Sequence, residues 1–204
     1  MDKNKLMDNL QKKGFQVEYF ETSKEAVQYM TDALSGKTIG IGGSETVKAL
    51  ELDKALMENN TVYWHWLPEL IEKYGTAKTV RDMANGAEIY ISSANAIAET
   101  GEIVNIDGTG NRISATAYGH EKVYFIVGTN KVTETLEGAI WRARNIAAPK
   151  NAKRLNKKTP CAQNADKCYD CNSSDRICNG LLLLARPMSG MEMVVVLINE
   201  ELGA

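Results

Sequence analysis

The chain has 204 residues, 44% hydrophobic and 25% charged, with a formal net charge of −2. This balance belongs to a folded chain rather than a disordered one, it lacks the basic field that binds nucleic acid, and the length suits a single domain over residues 1–204. The opening segment is charged where a secretory signal carries an apolar run, and no stretch approaches the roughly 20 apolar residues of a membrane span, so a cytoplasmic protein with no membrane partner is expected.

Leu6, Met7 and Leu10 recur at helical spacing before Gly14, and residues 15–20 alternate as a strand does. Thr22 or Ser23 can cap a helix that runs to Leu34 and places Ala26, Val27, Met30 and Leu34 on one face. Residues 37–41 read as a short buried strand that passes through Gly42, Gly43 and Ser44 into a helix predicted over 45–59. Residues 61–66, β-branched and aromatic, predict a strand; Pro68 opens a helix, another covers 79–85, and 88–92 is a third strand in this stretch. A polar stretch follows over 93–112, interrupted by the apolar residues 103–106, with a tight turn between two short strands at 99–102 and another turn at Asp107-Gly108. A helix over 113–118, a strand over 122–127 and a long helix over 133–148, closed by Pro149, complete the regular part. Strands alternating with helices predict an α/β fold, with a mostly parallel sheet flanked by helices. Residues 151–190 then form a short Cys-rich appendage, after which the β-prone run Met193 to Ile198 returns to the sheet.

Two loops can carry chemistry. In the 40–46 loop, Gly42 and Gly43 permit a tight turn, the following helix start offers unpaired N–H groups, and Ser44, Glu45 and Thr46 add polar side chains; a phosphate or carboxylate suits such a place. The spacing is neither GxxxxGK[ST] nor GxGxxG, so a P-loop or a dinucleotide fingerprint is not supported, and the glycines and Ser44 equally suit a plain capped turn. The 95–112 loop follows a strand, where ligands of open α/β sheets bind, and gathers Asn95, Glu99, Asn105, Asp107, Asn111 and Arg112; the same residue types also build ordinary hairpin turns.

Cys161, Cys168, Cys171 and Cys178 have a symmetric spacing with a central CxxC, and four thiolates can hold Zn or an iron–sulfur cluster. Buried thiols, a Cys168–Cys171 redox pair and disulfides are the alternatives. His65, between Trp64 and Trp66, reads as a hydrogen-bonded structural histidine, and His120 as a turn residue. Two histidines and no GxSxG motif weigh against a serine hydrolase. Arg142, on the long helix, can pack or reach an anion.

The segments Ile39-Gly40-Ile41-Gly42-Gly43-Ser44-Glu45-Thr46, Asn95-Ala96-Ile97-Ala98-Glu99-Thr100-Gly101, Val104-Asn105-Ile106-Asp107-Gly108, Gly110-Asn111-Arg112 and Val127-Gly128-Thr129-Asn130-Lys131 together resemble the lactate-utilisation (LUD) domain family, formerly DUF162. The Cys161 to Cys178 segment resembles a subset of it. The resemblance implies a fold like that of ribose-5-phosphate isomerase and the CoA transferases, the NagB/RpiA/CoA transferase-like class, with an anion held at Gly42 to Thr46 and faced by the 95–112 loop. It also implies Glu99 and Asp107 as candidates for proton transfer, although neither the isomerase's lysine-glycine stretch nor the CoA transferase glutamate is matched.

Three functions stay open at this point: a protein of lactate-type organic-acid metabolism binding a small anionic metabolite, a non-catalytic metal or electron carrier within a redox complex, or a small-molecule-binding regulator. Whether the chain is an enzyme is left open with them. A homodimer is the default expectation from base rates.

Overall fold

A computed structural model describes residues 2–164 and 166–204. Helix α1 (Lys3–Lys12) starts where the Asp2 carboxylate accepts the Lys5 amide and buries Leu6 and Leu10. It hands over through Gly14, at φ +97°, to strand β1 (Gln16–Phe20). Helix α2 (Ser23–Ala33) opens with a capping box between Thr22 and Glu25, so the cap falls on the first of the two residues considered.

Strand β2 (Thr38–Ile41) leads into a helix that the periodicity predicts as continuous but that breaks in two, α3 (Glu45–Ala49) and α4 (Leu52–Met57). Glu51, between them, takes a left-handed conformation at φ 49°. The bend lets Val47 on one piece and Leu52 and Leu56 on the other all reach the core, which outweighs the strain at a single residue. Strand β3 (Thr61–Trp64), helices α5 (Pro68–Tyr74) and α6 (Ala77–Asn85) and strand β4 (Ile89–Ser92) follow.

The next segment is the hairpin that the tight turn at 99–102 implies. Residues 96–98 and 103–107 are strands β5 (Ala96–Ala98) and β6 (Ile103–Asp107), paired antiparallel and largely buried. Alanines make this possible: Ala96 and Ala98 pack with Ala139 and Ala143 at a spacing larger side chains would not allow. Helix α7 (Asn111–Ala117) and strand β7 (Lys122–Gly128) follow, then a 3-10 turn at Thr129–Lys131 and strand β8 (Val132–Thr133).

Pro149 does not close the next helix, as its lack of an N–H predicts. Helix α8 (Leu136–Arg142) widens into a π turn at Ala143–Ala147 and continues as α9 (Ala148–Arg154). Proline removes one donor and crowds the preceding turn, and the wider π turn directly before Pro149 accommodates both effects. Helix α10 (Pro160–Asn164), strand β9 (Gly180–Leu184) and strand β10 (Glu192–Ile198) complete the described chain.

Six strands form a parallel sheet in the order β1-β10-β7-β4-β2-β3, and four form a second sheet in the order β8-β5-β6-β9. The α/β class with a mostly parallel, helix-flanked sheet is therefore as expected, and β10 does return to the sheet, between β1 and β7. Both faces of the main sheet are covered, so its inner strands are continuous apolar runs. In β7 and β10, Tyr124, Ile126, Val194 and Val196 face α2 and the 45–57 helices, while Val123, Phe125, Val195 and Leu197 face α1 and the second sheet. At Gly40 the sheet meets α6 so closely that a Cβ would stand 2.1 Å from the Ala84 carbonyl oxygen. No helix among the described residues is long and apolar enough to cross a membrane.

Candidate functional site

The carboxyl ends of β2, β3, β4 and β7 open into one cavity of about 270 Å³. That is the end of a parallel sheet where loops can converge without breaking strand pairing. The two loops singled out in the sequence share it: Gly43, Ser44, Glu45 and Thr46 form one wall, and Asn95, Asp107, Asn111 and Arg112 another.

The tryptophans after β3 shape the first wall. Trp64 Nε1 donates to the Gly42 carbonyl at 3.1 Å, and Trp66 stacks on Trp64 with ring centroids 5.2 Å apart. Gly43 lies against Trp66, so that a Cβ would come within 3.3 Å of the ring, and Gly42 lies beneath the wall, where a Cβ would meet the Tyr90 hydroxyl at 2.9 Å. A side chain at Gly42 would displace the Tyr90 hydroxyl, and one at Gly43 would press on Trp66. The Ser44 hydroxyl accepts the Val47 amide at 3.2 Å and so caps α3, which leaves Thr46 as the hydroxyl turned to new partners.

The second wall is braced by its own polar groups. Asn95 Oδ1 accepts the Ile106 amide at 2.7 Å and Arg112 Nη2 at 3.2 Å, while the Asn95 backbone N–H donates to Asn105 Oδ1 at 3.0 Å. Asn105 is buried and outside the cavity lining, so it positions Asn95 rather than meeting a ligand. The Asp107 carboxylate accepts four backbone amides, those of Thr109, Gly110, Arg112 and Ile113 at 3.0–3.3 Å, and faces Arg112 Nε at 3.8 Å. With both oxygens so engaged, it organises the turn into α7.

Glu99 stands elsewhere. Its side chain is buried against α1, where it accepts the Asp2 amide at 3.0 Å and pairs with Lys5 at 3.3 Å, and it does not line the cavity. The hairpin turn at 99–102 points away from the strand ends, which sequence spacing alone does not reveal. Arg142 is likewise outside the cavity lining: its guanidinium donates to the Asn95 and Asn130 carbonyls and ties the second wall to the turn after β7.

The residue that the sequence reading quoted without assigning a role is Lys131. It ends the 3-10 turn after β7 and is 3% exposed, and its ammonium donates to Thr46 Oγ1 at 2.9 Å and Ser93 Oγ at 3.1 Å inside the cavity. Burial, followed by the charges of Arg142 and Arg112, pushes its pKa down to about 7. Its place just beyond the carboxyl end of a central strand was the available signal. His65, read above as a hydrogen-bonded structural histidine, belongs to the site as well. It lines the cavity, its Nδ1 is buried without a hydrogen-bond partner among the described residues, and desolvation, with Arg81 nearby, lowers its pKa to about 4, so the ring is neutral near pH 7. His120, read as a turn residue, is buried and donates from Nδ1 to the Ala87 carbonyl at 2.7 Å. Across the mouth, Arg154 of α9 pairs with Glu45 at 3.1 Å and lies 5.0 Å from the Trp66 ring.

The four cysteines do not form a metal centre, which corrects the expectation of Zn or an iron–sulfur cluster on Cys161, Cys168, Cys171 and Cys178. No group of three or more His, Cys, Asp or Glu among the described residues is arranged to hold a metal ion, and all four thiols are free. The physical reason lies in their surroundings. Arg144 and Arg176 bring positive charge to the space that Cys161, Cys168 and Cys178 line, while Cys171 is not part of that lining.

The fold and the site thus define an α/β protein with a polar cavity at the carboxyl edge of a parallel sheet. The chain belongs to the LUD domain family, which matches residues 3–198. Among solved structures it is similar to a DUF162 family protein from Deinococcus radiodurans, at 10% identity and TM-score 0.51, covering 95% of this chain and 94% of that one. A ribose 5 phosphate isomerase A from Neisseria gonorrhoeae matches at 17% identity and TM-score 0.37, over 56% of this chain and 54% of that one. No curated protein matches the sequence.

Proposed function

We propose that the cavity binds a small organic anion, a carboxylate or phosphate of lactate-type organic-acid metabolism, between the 40–46 loop and the 95–112 loop. One observation carries this reading. Of the cations at the cavity, Arg112 stands beside Asp107 and Arg154 beside Glu45, whereas Lys131 donates only to hydroxyls among the described residues. A buried ammonium without an anionic partner is costly, and an incoming anion supplies that partner. Thr46 and Ser93 orient the amine, Arg112 adds field from the opposite wall, and neutral His65 offers a hydrogen bond. In the same reading the architecture is isomerase/CoA transferase-like.

The test is thermal unfolding of the protein with lactate, other 2-hydroxy and 2-oxo acids, and sugar phosphates. A true ligand raises the midpoint with concentration, as mass action requires. The rise is expected to vanish in Lys131→Met. If no anion shifts the midpoint, or if the shift survives the substitution, the reading fails.

A further inference from the structure

The Cys-rich segment encloses a second cavity, of about 240 Å³, and Ile106 lines both this one and the first. Cys161, Cys168 and Cys178 face it together with Arg144 and Arg176, and Pro149 and Leu181 make part of the wall apolar. Both arginines reach the same oxygen of Asp170, each at 3.3 Å. Two guanidinium groups sharing one carboxylate leave the cavity with an excess of positive charge. Arg176 is fixed by donating to the Cys171 carbonyl at 2.8 Å and the Cys178 carbonyl at 3.3 Å. The sulfurs differ in their surroundings: Cys161 lies 3.2 Å from the Thr159 hydroxyl and Cys168 accepts the Asp170 amide at 3.3 Å. Cys178 sits beside the Arg176 guanidinium, whose pKa is raised by that sulfur.

We propose that this cavity is a thiol-exchange site, which takes a small disulfide bearing carboxylates and becomes thiolated on Cys178. The arginines hold the carboxylates and the apolar wall takes the carbon chain. Cys178 gives its proton to solvent, and its thiolate attacks one sulfur of the bound disulfide. A new S–S bond to Cys178 forms as the reagent's own S–S bond breaks. The electron pair leaves on the second sulfur, which takes up a proton as a free thiol. Excess small thiol reverses the exchange.

Thiolation also reaches the first cavity, a consequence that rests on the anion reading above. Ile177, next to Cys178, lines that cavity, and Asn179 donates to the Asp107 and Gly108 carbonyls, each at 3.0 Å. Gly108 touches this segment so closely that a Cβ would lie 2.9 Å from the Ile177 carbonyl oxygen. A group attached at Cys178 therefore displaces the support of the Asp107 turn.

The test incubates reduced protein, in chelator-containing buffer, with oxidised glutathione or with cystamine, a cationic disulfide, and follows intact mass and peptide maps. The expected result is one glutathione adduct, on Cys178, formed about tenfold faster than the cystamine adduct. The Arg144→Gln/Arg176→Gln pair should erase the preference, and Cys178→Ser should abolish the adduct. Equal rates for the two disulfides, undiminished labelling of Cys178→Ser, or an internal disulfide in place of an adduct would each overturn the site. Inorganic phosphate is then titrated into both forms, and about fivefold weaker binding by the adduct is expected. If the unmodified protein binds no phosphate, the anion reading fails while the mass readout still decides thiolation. Equal phosphate binding by both forms overturns the coupling.

Discussion

The Lys131 ammonium stands 2.9 Å from the Thr46 hydroxyl, joining the turn after β7 to the loop after β2 across the end of β4. Residues 202–204 lie over this contact: the Leu202 carbonyl accepts Thr46 Oγ1 at 3.3 Å, and a Cβ on Gly203 would come within 3.2 Å of the Lys131 nitrogen. The amine is thus screened from solvent and open to the cavity, which explains its low pKa.

Anion affinity should depend on pH in a direction set by Lys131. The amine loses its charge as pH rises through about 7, so binding weakens above that point, by at most about tenfold per pH unit. Isothermal titration with lactate, whose carboxylate keeps its charge throughout, at pH 6 and 8.5 checks this. A Lys131→Met variant should show weak binding and no such dependence.

The same residue sets a stability profile. Its folded pKa lies below the value of 10.5 for a free lysine, so between about 7 and 10.5 the unfolded chain binds more protons and stability rises with pH. The penalty of burying the charge is in full force below about 7 and is relieved above it, with a slope of no more than about 1.4 kcal/mol per pH unit. Urea unfolding across this window should show the slope in the native protein and lose it in Lys131→Met.

Asp107 and Glu99, paired in the sequence as proton-transfer candidates, should separate on substitution. Asp107→Ala removes the acceptor of four amides and is expected to cost about 1–3 kcal/mol of stability and to weaken anion binding with it. Glu99→Gln should lower stability through its contacts to α1 while leaving anion affinity within about twofold, because a change at a separate site couples weakly. Chemical denaturation and phosphate titration of both variants make the distinction.

Gly40→Ala should be among the most damaging small substitutions. Its methyl group would collide with the Ala84 backbone, and forcing α6 off the sheet is expected to cost about 2 kcal/mol or more, read as a lower unfolding midpoint.

The sequence made the sheet legible because its strands are buried on both faces, so runs such as Met193 to Ile198 stand out. It also pointed to both cavity walls, since Gly43 and Asn111 are residue types that turns and ligand loops demand. What it concealed depends on distant contacts. Glu99 follows β5 and Asp107 ends β6 of the same hairpin, and only the direction of the hairpin assigns one to α1 and the other to the cavity edge. Lys131 resembles any surface lysine until burial and two neighbouring arginines are added, and the cysteine spacing, though no standard metal pattern, allowed a metal site because it carries no record of where Arg144 and Arg176 lie.

The most direct test follows backbone amide resonances while inorganic phosphate is titrated into the native protein and into Lys131→Met. The account predicts saturable shifts centred on Gly43 to Thr46, Asn95, Arg112 and Lys131 in the native protein, and their near absence in the variant. Shifts centred on other parts of the molecule, or an unchanged response in Lys131→Met, would contradict it.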